Sequence, residues 1–519
     1  MTGVLLWLYF LFLGSVQTGK LLVIPADGSH WNNIKSLVEE LGRRGNEVVV
    51  VIPKESLSLG PSKHTTTLTY PVNYTVAQIK KQIASNLSNY IGVDTSTDLA
   101  RFQKYVLMID ALKVGSVKNV ESLLFNKDLM KTLIEWEFDA VLTDPFECVG
   151  VIVGEYLSIP SIYMQGNHPC DAHFLATKSL SPPSYAPHLA THFTDRMNFW
   201  QRGVNTLRYF LQPMACGRLY THADRIASAF LQKETSMLEI MSHAAIWLEY
   251  IDYATEFPRP LMPNVIMMGP IAPETKPLPQ DLETFVNGSG EHGFVIFTLG
   301  SMVSELPEVK AGQFLEAFRH IPQKVVWRYT GALPKDVPKN VKLMNWLPQN
   351  DLLAHPKAKA FITHGGTHSI YEGICNGVPM VTIPLFGDQA DNVQRVVSRG
   401  VAETVNIFDL TSEKLLVALR KVINDKSYKE KMMKLSVIHR DHPIKPLDLA
   451  VYWTEYVMRH KGAAHLRSAA NELNWIQYHS LDVIGFLLLV LVTVVCVTVK
   501  TCMFCFKKCF RVTPKKKKE

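Results

Sequence analysis

The chain has 519 residues, 47% hydrophobic and 19% charged; this composition excludes a disordered or collagen-like polymer, and the length exceeds one hydrophobic core, predicting about three domains. The formal net charge of +7 would suit a nucleic-acid binder, but its distribution removes that reading. Residues 500–519 hold eight basic side chains and one acid, so residues 1–499 carry 46 of each sign and sum to zero.

In chain order, Val4 to Leu13 is a ten-residue apolar run followed by small or polar residues at Gly14 to Gly19. Although it lacks an early Lys or Arg, the pattern predicts a signal peptide over 1–18, cleaved near Thr18. Lys20 to Pro25 reads as a buried strand. Ile34, Leu37, Val38 and Leu41 then recur at helical spacing, and Gly42 and Gly45 end that helix. Glu47 to Ile52 is a near-continuous Val run, as expected of a strand covered on both faces. This strand–helix–strand order implies a parallel sheet, and Phe138–Thr143 supplies another strand. Trp200, Val204, Leu207 and Leu211, with Arg202 and Arg208, give a helix an apolar face. An ordinary core helix, a pocket wall and a membrane contact all fit that face.

Seven prolines fall between Pro258 and Pro279. That density excludes a regular helix or a central strand and predicts a linker over 258–279, between an α/β domain at 19–257 and a second at 280–445. In the second domain, strands are expected at Phe294–Leu299, Val325–Arg328, Ala360–Thr363 and Met380–Ile383. A helix at Ser369–Asn376 separates the last two. Two doubly wound domains with ligands at the carboxyl ends of their strands follow. Residues 446–482 read as return helices approaching a membrane.

Val483 to Val499 contains no charge and is bracketed by Asp482 and Lys500, predicting a transmembrane helix over 483–499. The following Lys/Arg cluster places the tail, 500–519, in the cytosol and the body on the other side, a type I arrangement. Sequons at Asn73, Asn86 and Asn287 agree with that side. Cys148, Cys170, Cys216 and Cys375 are the body's only cysteines, too few and too scattered for a disulfide framework. Cys496 is in the span; Cys502, Cys505 and Cys509 follow it as candidates for acylation, and Cys502-x-x-Cys505 lacks the partners a metal site needs.

The densest chemistry lies in Trp346-Leu-Pro-Gln349, His364-Gly365-Gly366-Thr-His368-Ser369-Ile-Tyr-Glu372 and Gly387-Asp388-Gln389, which together span 44 residues. In length, order and residue type this block resembles the UDP-glycosyltransferase donor signature. Asp27-Gly-Ser-His30-Trp31 and the closing stretch from His460-Lys-Gly-Ala-Ala to Asp482-Val-Ile-Gly-Phe486 look like vertebrate family-1 UDP-glucuronosyltransferases. The resemblance covers almost the whole chain and implies the GT-B arrangement of two Rossmann-like domains facing a cleft.

The residues support that reading physically. His364, Gly365 and Gly366 lie between a strand and a helix start, where free N–H groups and the helix dipole suit a diphosphate. The resemblance adds Ser301 and Arg328 to the donor set. It also implies that Trp346 stacks uracil, Gln349 addresses the base, Glu372 accepts from the ribose hydroxyls, and Asp388 and Gln389 grip the sugar. His368 and Ser369 belong to the same set. At Ser369 the family usually has Gly, so a Cβ there would crowd the diphosphate. His30 and Asp144 each follow a strand of the first domain, so both lie at one sheet edge and can act as an imidazole base with its orienting carboxylate. The resemblance makes this the catalytic pair.

The expected reaction is inverting glucuronate transfer from UDP-glucuronate to a small lipophilic acceptor, with no cofactor and no metal. Endoplasmic reticulum residence follows from the resemblance, and Lys516 and Lys517 sit where a di-lysine retrieval signal is read. Membrane lipid is an expected partner, nucleic acid is not, and oligomerisation is left open. Two alternatives stand: transfer from UDP-glucose or another UDP-hexose, and a noncatalytic UDP-sugar-binding membrane protein. A nicotinamide oxidoreductase would want Gly-x-Gly-x-x-Gly after the first strand, where Asp27-Gly-Ser-His-Trp stands instead.

Overall fold

The computed structural model describes residues 18–91, 97–115, 117, 119–166, 170–303, 305–334 and 336–510. The proposed signal segment (but for its last residue, Thr18), and the lysines at 515–518, lie outside the described residues. Residues up to Arg467 form one compact unit, and Ser468 onward forms another.

The first unit contains two parallel sheets. In the first lobe, β1 (Lys20–Ile24), β2 (Glu47–Pro53), β3 (Thr66–Tyr70), β4 (Ala140–Thr143), β5 (Ser161–Gln165), β6 (Ile246–Glu249) and β7 (Val265–Met267) run in the order β3-β2-β1-β4-β5-β6-β7. In the second, β8 (Phe294–Thr298), β9 (Lys324–Arg328), β10 (Val341–Met344), β11 (Ala358–Thr363), β12 (Met380–Thr382) and β13 (Ala402–Thr404) run β10-β9-β8-β11-β12-β13. Both orders reverse once, between β1 and β4 and between β8 and β11. Those reversal points are where an open α/β sheet binds its ligand.

The apolar runs form these strands because each is covered on both faces. Leu22, Val49 and Val51 pack on one side of the first sheet, and Leu21, Val48 and Val50 on the other. Phe294 and Ile296 oppose Val295 and Phe297 in the second sheet in the same way. Period-2 alternation thus divides each strand between two cores. The helix Ser29–Arg43 buries Ile34, Leu37, Val38 and Leu41 as its spacing predicts. The helix Pro446–His460 returns to the first lobe, burying Ala450, Val451, Val457 and Met458 in the same core.

Four expectations change. First, the segment 258–279 is not a bare linker: Val265–Met267 forms β7, paired parallel to β6. It is an edge strand, the one position in a sheet that tolerates flanking prolines. Second, the helix carrying Trp200 runs from Phe199 to Leu231, 33 residues with Pro213 inside. Its buried face is Asn205, Gln212, Cys216, Leu219, Tyr220, Ala223 and Ala227, while Trp200 and Leu207 are 69% and 59% exposed. The ordinary-core reading therefore fails for that stripe.

Third, Cys170 and Cys216 form a disulfide, which their separation of 46 residues did not announce. It ties the segment after β5 to the long helix. In the chain-entropy account a loop of that size is worth about 4 kcal/mol, and disulfides typically contribute roughly 2–4 kcal/mol. Replacing Cys170 and Cys216 together by Ser is therefore expected to lower the melting temperature by several degrees, read by thermal unfolding in detergent with and without reductant. A melting point unchanged by both substitution and reductant would contradict this.

Fourth, in the second unit the apolar helix runs from Leu481 to Cys509, 29 residues rather than seventeen. At 1.5 Å per residue it is about 43 Å long, more than enough to cross a hydrocarbon core of about 30 Å. The basic tail thus begins inside this helix, at Lys500, Lys507 and Lys508. Of the sequons, Asn73 lies in an exposed bend, Asn86 in the helix Val76–Ile91, and Asn287 ends the helix Gln280–Asn287.

Candidate active site

At the first reversal point, Ile24 of β1 is in register with Thr143 of β4, so the segments leaving both strands emerge side by side. Gly150 lets the following helix close on this edge, since a Cβ there would meet Thr143 Oγ1 at 2.0 Å. His30 is the second residue of its helix and Asp144 follows β4 directly. Their side chains meet, with His30 Nδ1 to Asp144 Oδ2 at 2.7 Å. Asp144 is 1% exposed and His30 27%. The other carboxylate oxygen accepts from Phe146 N at 2.9 Å, and the Phe146 ring stacks on the imidazole at 4.8 Å.

A carboxylate at Nδ1 requires the proton there, which leaves the Nε2 lone pair free for a substrate proton. Burial by itself would lower the His30 pKa. The Asp144 charge and hydrogen bond outweigh it, Asp388 and Glu147 add to them, and the net shift is upward from 6.5. Asp27 holds the helix start in place: its carboxylate accepts from Gly28 N, Leu57 N and Ser58 N, at 2.6, 2.6 and 3.0 Å.

At the second reversal point, Thr298 of β8 is in register with Thr363 of β11. His364 leaves β11, and its imidazole lies between two glycines. A Cβ on Gly300 would come within 2.6 Å of the ring, and one on Gly366 within 2.5 Å. Burial lowers the His364 and His368 pKa values to about 4, so both are neutral hydrogen-bonding groups at physiological pH. Gly366 caps the helix Thr367–Cys375, and no side chain occupies that cap. The first N–H groups of a helix, set beside a neutral imidazole such as His364, are an arrangement that can hold an anion.

Ser369 adopts ordinary helical backbone, is buried, and accepts through Oγ from Gln349 Nε2 at 3.3 Å. Gln349 also donates to Glu372, whose pKa burial raises to about 7. Trp346 is 67% exposed, as a stacking platform must be and a core tryptophan is not.

Two residues of the expected donor set also make contacts within the protein. Arg328 donates to the carbonyls of Gly300 and Ser301, the latter at 3.4 Å, and its guanidinium lies 5.1 Å over the Trp346 ring. It braces the turn after β8 and the platform. Gln389 Oε1 accepts from Leu385 N and Phe386 N at 2.8 and 3.1 Å, so its amide shapes the loop before it. Asp388 Oδ2 accepts from Thr367 Oγ1 at 3.2 Å and Asn392 Nδ2 at 2.8 Å.

Thr367, Asn392 and the Asp27 brace escaped the sequence reading. Asn392 is four residues past Asp388, one helical turn, and that spacing was the available signal. Beside Gly387 opens a cavity of about 800 Å³ between the lobes, with Tyr105, Met108, Leu385, Phe386 and Phe408 among its apolar lining. That is large enough for a drug-sized ligand.

Comparison with known proteins agrees with this geometry. Residues 19–518 match the family described as UDP-glucoronosyl and UDP-glucosyl transferase. UDP-glucuronosyltransferase 1A3 of Rattus norvegicus is 47% identical over 495 residues, covering 95% of this chain and 93% of that protein. UDP-glucuronosyltransferase 1A6 of Homo sapiens is 46% identical over 505 residues, covering 96% and 94%. Among solved structures, spinosyn forosaminyltransferase SpnP superposes with a TM-score of 0.59 at 18% identity, covering 85% of this chain and all of that one. UGT89C1 of Arabidopsis thaliana complexed with UDP gives 0.53 at 18% identity, again with 85% and 100% coverage. These structures share the GT-B fold of two Rossmann-like lobes. With a histidine–carboxylate pair at one sheet edge, a helix start without a side-chain cap at the other and a match along nearly its full length, the chain belongs to the UDP-glucoronosyl and UDP-glucosyl transferase family.

Proposed function

We propose that this protein transfers glucuronate from UDP-glucuronate to hydroxyl groups of small lipophilic acceptors. The observation that carries the reading is the His30–Asp144 pair, whose imidazole feels Asp388 of the opposite lobe. His30 Nε2 takes the acceptor's proton as its oxygen attacks the anomeric carbon. The bond from that carbon to the UDP oxygen breaks, configuration inverts, and Asp144 stabilises the imidazolium formed. Charge on the leaving diphosphate falls on the helix start at Gly366 and on the neutral His364. Glu372 accepts the ribose hydroxyls, Trp346 stacks the base, and Asp388 takes sugar hydroxyls. This route draws its electrostatics from protein groups, with no cofactor. The cavity beside Gly387 has the volume for such an acceptor, with Tyr105, Met108, Leu385, Phe386 and Phe408 lining it alongside charged groups such as Lys104, Glu403 and Lys421.

The neutral imidazole is the active form. Because Asp144 raises the His30 pKa, the acid limb of kcat/KM is expected above 6.5, and Asp144→Asn is expected to move it down. Rate profiles from pH 5 to 9 check this; an acid limb below 6 in the wild type would oppose it.

The span and basic tail support a type I protein of the endoplasmic reticulum with a lumenal body. The direct test of function is a donor panel: permeabilised microsomes with a phenol and UDP-glucuronate, UDP-glucose or UDP-N-acetylglucosamine in turn. Conjugate with UDP-glucuronate foremost is expected. Preference for UDP-glucose would replace the donor assignment, and no conjugate with any donor would end the enzyme reading.

A further inference from the structure

Asp252 lies three residues past β6 in the first lobe, against the helix Thr367–Cys375 of the second, and residues 441–445 carry the chain back to the first lobe. There Asp252, His439 and His442 bring one carboxylate oxygen and two imidazole nitrogens within 4.8 Å of one another. Asp252 Oδ2 lies 2.5 Å from His439 Nδ1 and 3.9 Å from His442 Nε2. Asp252 and His439 are buried, and His442 keeps 24% of its side chain exposed. Its Nε2 is nevertheless a buried atom with no hydrogen-bond partner, turned toward a carboxylate already engaged elsewhere. An imidazole nitrogen so placed is an unmet ligand.

We propose that Asp252, His439 and His442 form a binding site for a divalent transition-metal ion of the zinc class, which staples the two lobes at their junction. Two imidazoles and a carboxylate are a donor set of that class. Tetrahedral ligands at 2.0–2.2 Å from zinc sit about 3.3 Å apart. The two pairs that include Asp252, 2.5 and 3.9 Å, bracket that separation, and the two imidazole nitrogens lie within 4.8 Å of each other, so the ligands close on an ion by shifts of about 1 Å.

The surroundings already orient the ligands. Asp252 Oδ1 accepts from Ala254 N at 2.9 Å, which aims Oδ2 at the histidines. Tyr371 stacks on His439 with ring centroids 5.4 Å apart, and its hydroxyl oxygen accepts from Asp252 N at 2.9 Å and meets the Thr255 hydroxyl at 2.6 Å. His442 fits its place because residue 269 is glycine; a Cβ there would approach the ring at 3.1 Å.

The test uses the full chain in detergent, stripped with chelator, with Cys502, Cys505 and Cys509 replaced by Ser to silence the tail thiols. Cobalt(II) is titrated and followed by its visible bands, zinc(II) by calorimetry, and both by thermal melting. One tight equivalent is expected, with a rise in melting temperature that chelator reverses. His442→Ala should weaken it at least tenfold. Asp252→Asn should do the same, and because His442 is partly exposed, His442→Ala remains informative if Asp252→Asn fails to fold. No stoichiometric binding, or binding unchanged by His442→Ala, would overturn the site and leave a proton-held histidine–aspartate contact.

Discussion

Replacing His30 by Ala is expected to lower kcat/KM about 10³-fold while leaving UDP affinity within a factor of two or so. General-base assistance contributes roughly 10²–10⁴-fold, and the geometry gives His30 no competing structural task. Its Nδ1 is bound to Asp144, its ring rests on Phe146, and Nε2 is left for the substrate. Asp144→Asn is expected to cost a similar factor for another reason. An amide can present its N–H to Nδ1 and stabilise the wrong tautomer, which in hydrolase triads of this logic costs about 10⁴-fold. Steady-state kinetics with a phenol acceptor, alongside calorimetric UDP binding, separate the two effects. Loss of UDP binding in His30→Ala would mean that the histidine supports the fold rather than the reaction.

The second large effect concerns the donor. Glu372→Gln is expected to raise the KM for the UDP-sugar by about 10–100-fold, since each hydrogen bond to a charged group is worth about 1.5–3 kcal/mol. A change in kcat of less than about threefold is expected, because ribose contacts act alike in ground and transition states. Burial raises the Glu372 pKa to about 7, and the hydrogen bond from Gln349 opposes that rise without cancelling it. The carboxylate is the form that accepts ribose hydroxyls. UDP binding should therefore strengthen as pH rises through 7, with proton release below it, and Glu372→Gln should flatten that dependence. Calorimetry in two buffers of different ionisation enthalpy reads the released protons. A pH dependence that persists in Glu372→Gln would assign it to another group.

The fold was legible where strands are long, apolar and doubly covered. Glu47–Pro53 and Phe294–Thr298 announce themselves because both faces of each are buried. The edge strands did not. Val341–Met344 has one buried residue of four, and Ala402–Thr404 is three residues long, so neither carries a periodic signal. Pro-rich sequence hid β7 for the same reason: an edge strand needs few of its backbone donors.

The site divides along a similar line. Residues that leave strands toward the cleft, His30, Asp144, His364 and Asp388, are legible from spacing because a parallel sheet brings strand ends to one edge. Residues that hold those groups in place are not. Asp27 acts on Ser58 across 31 positions, and Cys170 joins Cys216 across 46. Asn392 meets Asp388 at one-turn spacing, but its bond to Gly365 O spans 27 positions, which no local pattern encodes.

The most direct test of the account is product analysis by the purified protein. UDP-glucuronate and a phenol are supplied at known concentration, and released UDP and conjugate are quantified together, with the anomeric configuration read by proton NMR. The account predicts β-glucuronide and UDP in a one-to-one ratio, and neither above background from His30→Ala. An α-linked product, UDP released without conjugate, or full turnover by His30→Ala would contradict it.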